Sequence, residues 1–496
     1  MVSSAGMDRE ETIMLLARGR SLQEHAELIR AARLGGEDTC QSVVAMFQGV
    51  AAALAKEFLS GHLLFRLLPE DVMYDPQLQA YAVAADVPRY PLQGPPPSLT
   101  LLDNGIFAPE ITGHNSRPVS ARTMVHNLGA LLFHAACGLV PTPGFLRLAA
   151  GDLPPISAFV PDLPLGLDPL LRHALRINPD DRLPDPAAFA ARLGELLAHD
   201  SDRRGRRPDD ELALHFSAST HPGIQKSEKN PVNQDHHLCR FSPEQRLGLF
   251  VVADGVSTCH YGSGERAAFL TVQAAEAGFG DMLADPALHG PPSRRDARAL
   301  REHLKRMLER ANARVIAEMA AAHPGRLGPG AKIMSSTATL LLVNGSQAII
   351  GNLGDSRAYL VRGEWIDQLT VDLDKRTWLL RQGKGLESIM NGSGLGELVA
   401  NVGCFSIDSR GQLVPAGLEP EFLTLNLLPG DRLLVCSDGV PDCIGPDAES
   451  RMREIIGGAK RPAQAAWELL VAANKNGGLD NLTAVVIDCL TKEPSK

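Results

Sequence analysis

Apolar runs that demand burial end, at well-separated places in this chain, on a bare carboxylate. "VVADGV" (251–256) carries a strand-like run to Asp254 and then Gly255, and "CSDGV" (436–440) does the same at Asp438 and Gly439. "LDNLTAVV" (479–486) sets Asp480 just ahead of such a run, and "GNLGDSRAYL" (351–360) puts Asp355 in a Gly-flanked turn between two. Asp and Gly dominate ordinary turns, which would account for any one of these sites alone. Several together need more, because a buried carboxylate is costly unless it is paired, hydrogen-bonded or bound to a metal. The adjoining glycines remove a side chain and let the main chain approach a ligand closely.

Only oxygen donors are on offer, with no His or Cys set at metal-ligand spacing. That donor chemistry selects hard ions, Mg²⁺ or Mn²⁺. Two such ions can activate a water near neutral pH and orient a phosphate ester for in-line attack. Such chemistry requires no nucleophilic side chain, and no convincing Ser-His-Asp or Cys-His set is present.

At 496 residues the chain exceeds what one hydrophobic core supports, so two or three domains are expected. A net charge of −9, with only five Tyr and three Trp, argues against a nucleic-acid partner. The eight cysteines include no Cys-x-x-Cys pair, and no signal-peptide pattern opens the chain, so a reducing cytoplasm is the expected compartment. "MVHNLGALLFHAACGLVP" (124–141) comes nearest to a membrane span. His126, Asn127 and His134 interrupt it, and it reads as a buried core helix, so no membrane partner is expected.

Residues 1–198 are Leu- and Ala-rich with apolar residues at helical spacing, as in "EETIMLLARGRSLQEHAELIRAARL" and "CQSVVAMFQGVAAALAKEFL". Proline-rich loops, "PLQGPPPS" and "GDLPPISAFVPDLP", separate the helices. "HDSDRRGRRPDDE" (199–211) has mixed charge and no apolar period and reads as a polar linker. From 212 to 491 the pattern turns to short β-type runs: "LGLFVVAD", "SSTATLLLV", "QAIIGNLGDSRAYLV", "FLTLNLLPGDRLLVCSD" and "LTAVVIDCL". "NGS" at 344–346 predicts a tight hairpin. "GERAAFLTVQAAEAGF" and "ARALREHLKRMLERANARVIAEMAAA" predict two helices among the strands. An α+β fold built on antiparallel sheets follows.

The 212–491 region resembles the metal-dependent Ser/Thr protein phosphatases (PPM, type 2C). The likeness rests on an ordered set: "VNQDHH", "VVADGV", "GERAA", "SSTATLLLV", "GNLGDSRAYL", "QLTVD", "PGDRLLVCSDGVPD" and "LDNLTAVV". It implies an antiparallel β-sandwich flanked by helices, with two ions and a third, weaker one in a cleft at one edge. By position, Asp254 would bridge two ions, with Gly255 lending its carbonyl to one. Asp438 and Asp480 would hold the other, and Asp355 would serve the third. Asp235 would act through bound water, with Gln234 and Asn481 beside the ligands. Three departures stand out. Gln234 replaces a frequent Glu, and Val256 replaces a histidine general acid found in many eukaryotic members. Asn230 replaces the Arg that grips the substrate phosphate, leaving Lys226 or Lys229 as point-charge substitutes.

The 1–198 region resembles a protein-kinase C-terminal lobe in degenerate form. The likeness lies in "LSGHLLFRLLPEDVMYD", "GIFAPEITG", "MVHNLGALLFHAACGLVP" and "LDPLLRHALRINPDDRLPDPAAFAARL". Aligned on Pro69-Glu70, the base Asp becomes Arg66, the Lys becomes Leu68 and the Asn becomes Asp71, so no ATP site is expected. The expected function is hydrolysis of phosphoserine and phosphothreonine in proteins. The N-terminal region would then be a docking or regulatory module for a phosphoprotein or a partner Ser/Thr kinase. The alternative is an inactive pseudophosphatase that binds phosphoproteins.

Overall fold

A computed structural model describes residues 21–34, 39–92, 106–113, 117–138, 156, 160, 163–164, 166–204, 212–325, 327–328, 330–382, 394–445 and 448–491. The chain divides into two compact units: Met1–Ser201 with Leu380–Gly392, and Asp202–Leu379 with Ser393–Lys496. Of the expected features, residues 10–20 of the first helix, residues 205–211 of the linker and most of both proline-rich loops lie outside the described residues.

In the first unit, helices Leu22–Leu34, Cys40–Leu59, Ala121–Cys137, Leu167–Ala174 and Pro186–Arg204 dominate. A hairpin of Val72–Asp75 with Ala80–Val83 accompanies them. The last helix runs through residues 199–204, the start of the expected linker, where Arg203 and Arg204 are good helix formers. Ala121–Cys137 buries His126 and Asn127 completely, as a core helix would. Cys40–Leu59 is long and apolar enough, by length and composition, to cross a bilayer. Within this unit its Val43, Met46, Phe47, Val50 and Leu54 are fully buried at helical spacing.

The second unit is built on two five-stranded antiparallel sheets. Its strands are β1 (Leu212–His221), β2 (His236–Ser242), β3 (Leu247–Ala253), β4 (Ala338–Asn344), β5 (Gln347–Leu353), β6 (Arg357–Arg362), β7 (Trp365–Gln368), β8 (Phe405–Ile407), β9 (Leu413–Pro415), β10 (Glu421–Asn426), β11 (Arg432–Cys436) and β12 (Leu482–Thr491). One sheet has the order β10-β5-β4-β3-β2 and the other β7-β6-β11-β12-β1, while β8 and β9 pair separately. Strands β3 and β4 are buried at every residue. They have to be, because one face meets the opposite sheet and the other is roofed by helices, so their sequences are unbroken apolar runs rather than alternating ones.

Helices α1 (Ile224–Lys229), α2 (Gly264–Ala284), α3 (Ala297–Ala322), α4 (Gly439–Ile444), α5 (Ala448–Gly458) and α6 (Pro462–Lys475) accompany the sheets, with a further short helix at Lys375–Arg381. Helix α3 buries Leu300, Leu304, Met307, Leu308, Ala311, Val315 and Met319, one apolar stripe that packs with α2 over the β2–β5 sheet. Helices α4 to α6 cover the other sheet through Val440, Met452, Ile456, Leu469 and Leu470. The fold is therefore α+β, with antiparallel sheets flanked by helices.

The expected hairpin closes between Asn344 and Gln347, with Gly345 at φ +61°. The turn expected at Asp355 proves to be a crossing between sheets, and a second run crosses in the same way. "QAIIGNLGDSRAYLV" leaves one sheet at Leu353 and enters the other at Arg357, and "FLTLNLLPGDRLLVCSD" crosses likewise between β10 and β11. Both crossings carry Gly and Asp, which supply the bend.

In the first unit, Glu110 and Arg182 form an ion pair with both side chains at 0% exposure, bonded through two contacts of 2.7 and 2.9 Å. Removing one partner leaves an uncompensated buried charge, so Glu110→Ala is expected to lower stability by about 3–5 kcal/mol. Denaturant unfolding of the full chain, followed by a probe in the first unit, measures this.

Candidate metal centre

Strand register alone brings the acidic residues to one end of the second unit. Asp254 follows β3 and Asp235 precedes β2, and these strands pair His236 with Ala253. Asp438 lies two residues beyond β11 and Asp480 two before β12, which pair Cys436 with Ala484. Asp355 sits in the crossing before β6, whose Arg357 also pairs with Cys436. Five carboxylates spread over more than 240 residues thus share one rim.

Glycine lets the rim close. A Cβ on Gly255 would lie 2.2 Å from the Gly264 carbonyl carbon, and one on Gly439 would lie 2.2 Å from the Asn481 oxygen. Either contact is far inside van der Waals range, so these loops can meet only without side chains. Ser263 caps α2 beside this contact by accepting from the Arg266 N–H.

Buried hydroxyls hold the carboxylates. Thr337 Oγ1 accepts from the Asp254 N–H at 3.0 Å and shares a 2.7 Å bond with Ser356 Oγ. Asn352, also buried, donates to the Gly354 and Val371 carbonyls and fixes the turn bearing Asp355. Ser437 Oγ donates to Asp235 Oδ2 at 2.7 Å and accepts from the Thr483 N–H. Asn481 accepts from the Gln234 N–H and donates to the Pro222 carbonyl, tying three of the loops together. Arg357 grips Asp372 through two short bonds and reaches Asp442 at 3.1 Å. Gln234 and Asn481 were expected beside the ligands, whereas Thr337, Ser356, Asn352, Ser437 and Arg357 escaped the sequence reading, although "CSDGV", "SSTATLLLV" and "GNLGDSRAYL" contain them.

Crowding shows in the carboxyl chemistry. Burial, then Asp235, Asp438, Asp355 and Asp480 in turn, hold the Asp254 carboxyl well above the usual range. Burial together with Asp355, Asp442 and Asp480 does the same to Asp438. Burial pushes Asp235 up to about 6, and burial with Asp372 pushes Asp355 up to about 7. Asp235 Oδ1 and Asp438 Oδ1 are buried with no hydrogen-bond partner. Such a group needs cations, and its all-oxygen donors fit Mg²⁺ or Mn²⁺. Among the described residues no three acidic, His or Cys side chains already converge at ligand distance.

Of the two candidate phosphate-binding lysines, Lys226 reaches the cluster and Lys229 does not. Lys226 Nζ lies 2.7 Å from Asp480 Oδ1 and 3.2 Å from Ser257 Oγ. Lys229, near the end of the same short helix, is exposed. Ser257 in turn donates to Gln234 Oε1 at 2.6 Å, so Gln234 acts here as an acceptor that orients a hydroxyl. Val256 is partly buried and His260 exposed.

Residues 223–463 match the family model for Protein phosphatase 2C. The C-terminal region carries a phosphatase domain of that family. The chain is 31% identical over 156 residues to the Ser/Thr phosphatase stp of Listeria innocua, a match covering 31% of this chain and 57% of stp. It is 31% identical over 154 residues to protein phosphatase PhpP of Streptococcus pneumoniae, covering 31% and 58%. The chain thus spans somewhat more than half the length of these curated relatives. A crystal structure of the catalytic domain of Ser/Thr protein phosphatase PstP with two manganese ions aligns at 23% identity and a TM-score of 0.41, over 56% of this chain and 99% of that one.

Replacing Asp355 by Asn removes a carboxyl whose pKa is raised in the folded protein, from 3.8 to about 7. A raised carboxyl destabilises the folded state above that pKa and ceases to do so below the unfolded value. In chelator, Asp355→Asn should melt higher than wild type at pH 8, with the gap shrinking as pH falls from 7 toward 4. Melting curves across that range test it.

Proposed function

We propose that this protein hydrolyses phosphoserine and phosphothreonine in proteins, using water activated by two divalent ions. The observation that carries this reading is the gathering of Asp235, Asp254, Asp355, Asp438 and Asp480 at one rim, where burial and neighbouring carboxylates push the first four carboxyls upward. Asp254 and the Gly255 carbonyl would hold one ion, Asp254, Asp438 and Asp480 the other, and Asp355 a third, weaker one. When bound, such ions supply acidity for a water nucleophile and neutralise charge on the phosphate oxygens. Lys226 is the side chain placed to meet the phosphate, as a point charge rather than a bidentate fork. Asp235, held by Ser437, would orient water around the ions, while Gln234 and Asn481 brace the loops.

The departures at Asn230, Gln234 and Val256 motivate the rival reading, a phosphoprotein-binding module without turnover. Lys226 at the rim favours the enzyme, because it restores a cation where Asn230 lost one. Turnover of p-nitrophenyl phosphate is expected with Mn²⁺, and loss of at least a hundredfold with EDTA or in Asp254→Asn, the scale set by removing a principal electrostatic stabiliser. Background rates in all three would favour the binding module.

The first unit we read as a docking or regulatory module related to a kinase C-terminal lobe. Two segments that carry that likeness, "APE" and "DDR", are joined by the buried Glu110–Arg182 pair. In this unit Arg66 stands where a catalytic base would be needed. A phosphoprotein or a partner kinase is the proposed ligand. The proposed setting is the reducing cytoplasm. Deleting residues 1–205 should leave p-nitrophenyl phosphate turnover intact while changing activity on a phosphoprotein. Equal activity on both substrates would remove the docking role.

A further inference from the structure

Lys226 does more in this geometry than wait for a phosphate. Its side chain is 18% exposed, and its ammonium lies 2.7 Å from Asp480 Oδ1. The same oxygen also accepts the Asn481 N–H at 2.8 Å, so both its lone pairs are engaged. A Mg²⁺-sized ion binds carboxylate oxygens at about 2.0–2.1 Å. It cannot take this oxygen while the ammonium stays. On the other side, Ser257 Oγ gives its proton to Gln234 Oε1, which leaves its lone pairs facing the Lys226 ammonium. The lysine therefore has a second holding point, one that does not involve a metal ligand.

We propose that Lys226 is the counter-cation that a divalent ion displaces at Asp480, and that its displacement frees the ammonium for the substrate phosphate. The inference rests on the phosphatase reading and deepens it. Ion capture and phosphate recognition become linked through one side chain: an ion at Asp480 releases the lysine, and a phosphate that draws the lysine away opens Asp480 to an ion. Linkage of this kind is reciprocal. It also gives the departure at Asn230 a consequence, because the working cation has moved onto a flexible stem long enough to serve two partners in turn.

The test is Mn²⁺ binding to the full chain without phosphate, followed by electron paramagnetic resonance of free Mn²⁺ or by calorimetry. Lys226→Met and Lys226→Gln are each expected to tighten Mn²⁺ binding at the Asp480 site about fivefold, the scale of a partly exposed ion pair. Lys229→Met carries the same charge change from the exposed end of the same helix and should shift affinity less than about twofold. In the Lys226 variants KM for p-nitrophenyl phosphate should rise while Mn²⁺ binding tightens. Mere damage to the site would weaken both. Unchanged or weaker Mn²⁺ binding would overturn the proposal, showing that the ion takes Asp480 Oδ2 and leaves the lysine in place. So would an equal effect of Lys229→Met. A wild type without turnover, whose Lys226 variants still bind Mn²⁺ more tightly, would sink the phosphatase reading and leave the displacement standing.

Discussion

Mutual repulsion among carboxylates is the constraint around which the second unit is arranged. Five Asp side chains share one rim, burial and then neighbouring carboxylates raise the pKa values of Asp254, Asp438, Asp235 and Asp355, and two of their oxygens have no hydrogen-bond partner. A fold that tolerates this must do it by rigidity. The β3, β4 and β12 cores, buried on both faces, supply that rigidity. Strand ends fixed by ladders on either side have no freedom to splay apart, so the rim holds charge that a looser structure would shed.

The second requirement is closeness. Loops from four parts of the chain meet at backbone distance, and Gly255, Gly264 and Gly439 are what allows it. Small hydroxyl and amide side chains then fill the spaces between them: Thr337, Ser356, Asn352, Ser437 and Asn481 are all buried and all hydrogen-bonded. A buried polar network with every member satisfied is rigid and specific. Here it determines where each carboxylate points, while Lys226 brings a cation to Asp480, one of the carboxylates expected to hold the ions.

Much of this could be read in the letters, and unevenly. The central strands were legible because full burial makes them unbroken apolar runs, and α2 and α3 because their stripes keep a 3.6-residue period. The edge strands β1 and β2 were not, since a half-exposed edge carries polar residues and loses its signature. Helices α5 and α6 were missed as well; they lie between the "CSDGV" and "LDNLTAVV" motifs, whose chemical signal outweighed the helical one. The turn at Asp355 was legible, but not that there and between β10 and β11 the chain steps from one sheet to the other, because both sheets offer the same buried environment.

What the sequence determined unaided was the inventory: which carboxylates end buried strands, that their donors are oxygen alone, and that glycine accompanies them. Those are local properties, settled by residue type and neighbours. Which lysine serves the site was a matter of tertiary structure, since Lys226 and Lys229 share one short helix and equal charge. Only the packing of that helix against the loop carrying Asp480 places the first at 2.7 Å and leaves the second exposed. Direction around a helix axis is invisible in composition and becomes chemistry once a neighbour is fixed beside it.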